Sequence, residues 1–395
     1  MTNNKFRFVV VGLVTMLLVM SILLGCTQTP EPAKQGQPEI IKVGGYDLGT
    51  SGYISAAATG EGIMKQFNIK QRYIPYASGL ARMLAAKTGA VDCTAQASDT
   101  TFAIEGLFDF GNIEWGPQPL RIVYWAKRFT PFSLVTQADS GIKTFADLKG
   151  KRIAWLAGSS SPNASVTGSL AFGGLTWDDV EKVEFQGWTA CWGALLDGSI
   201  DACMGTGTSS AMQQQQASPS GLYWIPMPPE DTEGWKRYRQ HHPLGYPMQA
   251  TIGAGISEAN PISLTCFPFP MYVTYEDQAS DDTAYWITKA LVESYDFYKD
   301  ATPDMPGFKL EAVMEQPVLF PWHDGSIKYL KEIGVWTDRH ERNQKALVER
   351  QEKLRALWDA VMIEFAGTGL KSNEFQNYWL ERRAEAFPSF HEAMD

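Results

Sequence analysis

The sequence predicts an α/β fold, with two similar βαβ lobes around a cleft and a helical extension at the C-terminus. Three observations carry that expectation. Two stretches follow one plan 109 residues apart, Gly49-Thr50-Ser51-Gly52 falling on Gly158-Ser159-Ser160-Ser161 and Gly89-Ala90-Val91-Asp92 on Gly198-Ser199-Ile200-Asp201, with no gap. Inside each stretch, short apolar runs alternate with helical segments of about ten to fifteen residues, the signature of βαβ units and a parallel sheet. The chain has 395 residues, 44% of them hydrophobic, enough to bury a sizeable core and to build two lobes.

Taken in order, residues 1–26 read as a secretory signal, with Lys5 and Arg7 ahead of an apolar run over 8–24 and a small-residue site ending in Cys26. Its final Leu23-Leu24-Gly25-Cys26 is similar to a bacterial lipobox, which makes Cys26 the lipidated residue and places the rest outside the cytoplasm, held to a membrane by the lipid. Residues 27–39 are a Pro- and Gln-containing linker. The first lobe is assigned to 40–136 and 256–336, the second to 137–255, and the helical extension to 337–395.

In the first copy a strand at 40–44 runs through a Gly/Ser/Thr loop into a helix. A strand at 72–76 precedes a second helix ending at Gly89, and a third strand starts at Val91. The second copy repeats this with strands at 152–156 and 183–185, a helix ending at Gly198 and a strand from Ile200. Ser78 and Thr189 are the expected helix N-caps. The Pro- and Gly-rich tract 226–270 carries the chain back to the first lobe, with strand-like segments around Ile252 and at 271–274. Helices are expected over 281–300 and 326–333. Leu347, Leu354, Leu357, Trp358, Val361 and Phe365 recur at helical spacing, and Ser372 is placed to cap a last helix bearing Phe375, Trp379 and Leu380.

A strand that ends in small polar residues and opens a helix offers backbone N–H groups and hydroxyls at the positive end of the helix dipole. One such loop occurs per copy, so Thr50, Ser51, Gly52 and Tyr53 are expected to face Ser159, Ser160 and Ser161 across the cleft, binding an anion without an arginine. Tyr76 and Trp188 are candidate walls, and Ser78 and Gln96, at the ends of the second and third strands, are candidate polar contacts. The net charge of −10 argues against nucleic acid as a partner, while a local site can still oppose the global sign.

The segments VGGYDLGTSGY (43–53), YASGLARMLAAKTGAVD (76–92), DSGIKTFADLKGKRIAW (139–155), LLDGSIDA (195–202) and FPWHDGSIKYLKEIGVW (320–336) resemble, in order and spacing, the TAXI-type solute-binding subunits of TRAP transporters. The resemblance implies a class II periplasmic-binding-protein-like fold that captures a small organic anion and delivers it to an ion-coupled TRAP membrane permease. It places the ligand carboxylate against Thr50, Ser51, Gly52, Tyr53, Ser78 and Gln96, with Ser159, Ser160 and Ser161 closing from the other lobe. The loop Ser159-Ser160-Ser161-Pro162 is less glycine-rich than the family pattern, aromatics at Trp155 and Trp188 are additional, and the tail after Trp336 is longer. The departures favour a solute bulkier or flatter than an amino acid. An ABC-importer binding lipoprotein and a ligand-sensing lipoprotein are the alternatives.

No catalytic constellation is expected. Ser140-Gly141-Ile142-Lys143 and Lys87-Thr88-Gly89 match hydrolase motifs but occur in the wrong order, with no S-D-N between them. The five histidines lack metal-ligand spacing, so neither metal nor cofactor is expected. Cys93, Cys191, Cys203 and Cys266 allow three pairings or four buried thiols, and spacing does not choose among them.

Overall fold

The structure, a computed structural model, describes residues 36–315 and 318–387. The signal segment, Cys26 and most of the linker lie outside the described residues. Contacts group 38–395 into one compact unit, which carries every element named below.

The first sheet has the order β2-β1-β3-β12-β4. Its members are β1 (Ile40–Gly45), β2 (Lys70–Pro75), β3 (Cys93–Thr94), β4 (Leu120–Ala126) and β12 (Phe269–Tyr275). β1, β2 and β3 run parallel, and β12 lies antiparallel between β3 and β4. Every residue of β12, inside the sheet, and of β4, at its end, is buried. Pro270 is tolerated in β12 because the register shifts beside it. Helices α1 (Ser51–Phe67), α2 (Gly79–Lys87) and α3 (Asp99–Glu105) follow β1, β2 and β3.

The second lobe repeats the plan. β6 (Arg152–Leu156) pairs in parallel with β7 (Glu181–Phe185), and a bridge from Ile153 to Ala202 leads to β8 (Cys203–Thr206). β8 pairs with β5 (Phe132–Thr136), which also pairs with β9 (Tyr223–Trp224). Helices α4 (Ser160–Phe172), α5 (Trp188–Leu196) and α6 (Ser210–Ala217) follow β6, β7 and β8. The sequence repeat has a backbone cause: Gly49 and Gly158 hold φ of 79° and 60°, and Gly89 and Gly198 hold 70° and 76°. Both lobes need left-handed turns at the same two points, and glycine adopts them without steric cost.

Strand pairing corrects the expected lobe bounds. Phe132–Thr136, assigned to the first lobe, is the β5 strand of the second, so the outward crossing falls at 127–131. β10 (Tyr246–Ala250) pairs with β11 (Ile262–Cys266), which packs beside β5, so the return crossing falls at 267–268 rather than near 256. Ile252 lies in the loop between β10 and β11. Ser78 caps α2, accepting from the Ala81 N–H at 3.2 Å. Thr189, the other expected cap, is inside α5, whose cap position is Gly187. The expected 281–300 helix is interrupted at Ser294, giving α8 (Asp281–Glu293) and a short α9 (Tyr295–Tyr298). All four cysteines are buried free thiols.

The C-terminal extension is a helical hairpin of α10 (Asp338–Ala366) and α11 (Phe375–Ala386), with Ser372 in a 3-10 turn that it does not cap. It grips the first lobe through a small core of Val361, Phe365, Phe375 and Trp379. Arg350 makes two bonds of 2.8 Å to the Glu105 carboxylate, Arg383 bonds the same carboxylate, and the Trp379 indole donates to Gly106 O at 2.6 Å.

Candidate ligand cavity between the lobes

Three helices of the second lobe end on the first. The Ser161 N–H, in the first turn of α4, donates to Asp99 Oδ1 at 3.0 Å. At the start of α5, the Trp188 N–H donates to Asp47 Oδ2 at 3.0 Å. The Ser210 N–H of α6 donates to Gly49 O at 3.0 Å. Two of these N-termini are thus met by carboxylates of the protein itself, the charge a helix dipole favours there. Side chains add to the junction. Ser51 Oγ donates to Thr206 Oγ1 at 3.0 Å and accepts from Thr208 Oγ1 at 2.8 Å, and Ser160 Oγ donates to Asp109 Oδ2 at 2.7 Å.

Enclosed by this junction is a cavity of about 30 Å³, small beside pockets for drug-sized ligands. Thr50, Ser51, Gly52, Ser159, Ser161 and Trp188 line it, so the two loops named from the sequence do converge. The other named residues lie outside the lining. Tyr53 packs edge-on against Tyr73, its N–H capped by Thr50 Oγ1. Tyr76 is half-buried beside Gly44. Ser78 is occupied as a cap, and buried Gln96 donates toward Gly79 O and Thr94 Oγ1. Ser160 is engaged with Asp109.

Two arginines that the sequence reading did not name are also part of the lining. Arg82 and Arg128 both line the cavity, at 2% and 7% exposure. Arg82 is held by Ala95 O at 2.9 Å, lies over the Tyr46 ring at 3.8 Å, and is 4.0 Å from Asp99 Oδ2. Arg128 makes no ion pair among the described residues, and its Nε and Nη1 are buried with no hydrogen-bond partner. Its guanidinium sits 4.4 Å from the Phe269 ring centroid, with Phe267 and Phe132 at 5.7 and 5.9 Å. Cation–π contact offsets some of its lost hydration, but it supplies no hydrogen-bond acceptor.

Asp99 is the one carboxylate in the lining. Burial pushes its carboxyl up to about 6, against the lowering pull of Arg82 and of the Ser161 N–H, while Asp109 pushes it up further. Its Oδ2, the Tyr46 hydroxyl and Arg82 Nη1 are also buried without partners. Burial likewise drives Tyr46 up to about 12, so its hydroxyl stays protonated.

Sequence signals for the missed residues were present but faint. Arg82 lies on the same face of α2 as buried Gly79, Met83 and Ala86, where an apolar residue is the rule. Arg128 lies in Lys127-Arg128-Phe129, between two buried strands, a stretch that reads as an ordinary polar connection until the lobes are known.

Fold and cavity together define a two-lobed α/β protein with a small, buried, positively biased interlobe site. A family model described as "NMT1-like family" matches residues 81–334, and the chain belongs to that family. Among solved structures, it is similar to the periplasmic aliphatic sulphonate binding protein SsuA from Escherichia coli (15% identity, 81% of this chain and 89% of that one, TM-score 0.42). It is also similar to a Bordetella bronchiseptica protein (16%, 89% and 98%, 0.44) and a Brucella ovis periplasmic binding protein with glutathione bound (15%, 69% and 77%, 0.39). No curated protein matches.

Proposed function

We propose that the protein is an extracytoplasmic solute-binding subunit that captures a small organic anion between its lobes and delivers it to a membrane importer. One observation carries this reading: Arg128 is buried, unpaired, and turned into a closed cavity between lobes. A buried charge without a partner is costly, and it is retained where a ligand supplies the partner. A planar guanidinium with free N–H groups suits a carboxylate or sulfonate. Around it, Thr50, Ser51, Gly52, Ser159 and Ser161 add hydroxyls and amides, and Trp188 with Trp192 supplies apolar wall.

Hinge closure over the solute follows from the two crossings at 127–131 and 267–268. Cys26 would carry the lipid that keeps the protein at the membrane. The motif resemblance points to a TRAP permease as recipient. A binding protein for an ATP-driven ABC importer has the same lobes and the same cavity, and uptake driven by an ion gradient without ATP separates the two. In protein starting after the linker, Arg128→Met should abolish anion-dependent thermal shifts. Unchanged affinity by calorimetry would remove the cavity from the binding site.

A further inference from the structure

The charges that line the cavity are Arg82, Arg128 and Asp99. Asp99 stands 4.0 Å from Arg82 and offsets it, which leaves the single uncompensated charge of Arg128. Among the lining charges, a guest with one negative charge is balanced, and a guest with two leaves an excess negative charge beside a carboxylate.

The surroundings of Asp99 sharpen this. Arg82 from α2 and the α4 N-terminus with its Ser161 N–H favour its ionised form, and Asp109, from the turn after α3, opposes it. Outside the lining, three more carboxylates point at the same junction. Asp47 bonds the Trp188 N–H, Asp109 bonds Ser160, and Asp304 accepts from Thr130 at 2.8 Å and Thr208 at 3.2 Å. None supplies positive charge for a second anionic group, and Arg82 is already matched.

We propose that Asp99 sets the charge of the solute, so that the cavity accepts a monoanion and rejects a dianion of similar size. The proposal rests on the anion-binding reading above and makes Asp99 a specificity-determining residue. A dianion enters only when Asp99 takes up a proton, which neutralises the carboxyl and restores the charge balance.

The test uses matched probes on protein starting after the linker: butyrate against succinate, and methanesulfonate against sulfate, by calorimetry at pH 7.5. In the wild type the monoanion of each pair should bind at least about tenfold tighter, and Asp99→Asn should close or reverse that gap. Without any substitution, dianion affinity should rise about tenfold per pH unit as pH falls from 8 toward 6 and level off below 6, with uptake of one proton at pH 7.5 seen as a buffer-dependent binding heat. Monoanion affinity should change little over the same range.

Equal or tighter dianion binding by the wild type would overturn the proposal. So would an unchanged ratio in a folded Asp99→Asn, or dianion binding at pH 7.5 that takes up no proton. The parent reading fails in a different way, by anion binding that survives Arg128→Met with full affinity. Absence of binding for all four probes would overturn both.

Discussion

On the proposed reading, Arg128 costs the fold stability and serves binding. Its guanidinium is buried with two nitrogens, Nε and Nη1, unmatched, and buried donors of that kind cost roughly 1–3 kcal/mol each, more when charged. Arg128→Met keeps the contact with Phe269 and removes the charge. The expected outcome is a melting temperature equal to or above that of the wild type, together with loss of anion binding, a trade common to functional sites. His242 supplies a second prediction at this scale. It is fully buried among Phe102, Tyr238 and Phe267, with neither ring nitrogen bonded, and burial pushes it down to about 3. The unfolded chain therefore binds the proton first, so this residue's contribution is intact above pH 6.5 and is lost as pH falls toward 3. Asp99 acts with opposite sign: raised to about 6, it favours the fold below about 3.8, and that contribution is lost as pH rises through 6. His242→Phe should therefore raise the melting temperature more at pH 4.5 than at pH 7.5, and equal shifts at both pH values would contradict the assignment.

At the scale of elements, the C-terminal hairpin is tied to α3 by one carboxylate. Glu105 is 2% exposed and receives both Arg350 and Arg383. Removing one member of a buried ion cluster strands the others and typically costs about 3–5 kcal/mol, so Glu105→Ala should lower the urea midpoint by a corresponding amount. Because α3 also carries Asp99, that variant should weaken anion binding as well, which calorimetry would read. The cysteines give a further check: burial raises the Cys93 and Cys203 thiols and lifts Cys266 to about 11. With all four thiols buried, a disulfide-exchange reagent should label none of them until the protein unfolds.

Much of this architecture was legible in the residues. The repeat named both loops and both helices of each copy because the same left-handed turns had to recur at Gly49 and Gly158 and at Gly89 and Gly198. What escaped is what local pattern does not contain. β5 reads as a continuation of the first copy, and only sheet pairing reassigns it. Arg82 and Arg128 lie 46 positions apart in chain number, and nothing in either neighbourhood says that they share a cavity. The α4 N-terminus reads as a seat for a ligand's negative charge, and local pattern could not show that Asp99 of the protein itself sits there.

For the molecule as a whole, closure is held by hydrogen bonds between the lobes, among them those of Asp47, Ser51, Asp99, Asp109 and Gly49 to the second lobe. Replacing Asp47 and Ser51 with Ala removes three of them, at about 1 kcal/mol each. The double variant should populate a more open form, seen as a larger radius of gyration by solution scattering and a faster solute off-rate. The exchange of strands between the halves has a separate consequence. The second lobe is built from one continuous stretch, whereas the first cannot complete its sheet until β12 has been made and inserted between β3 and β4. The half that emerges first from the ribosome is therefore the half that must finish last, its opening segment waiting as an unsealed sheet that any chaperone holding the chain would have to keep from sticking to its neighbours.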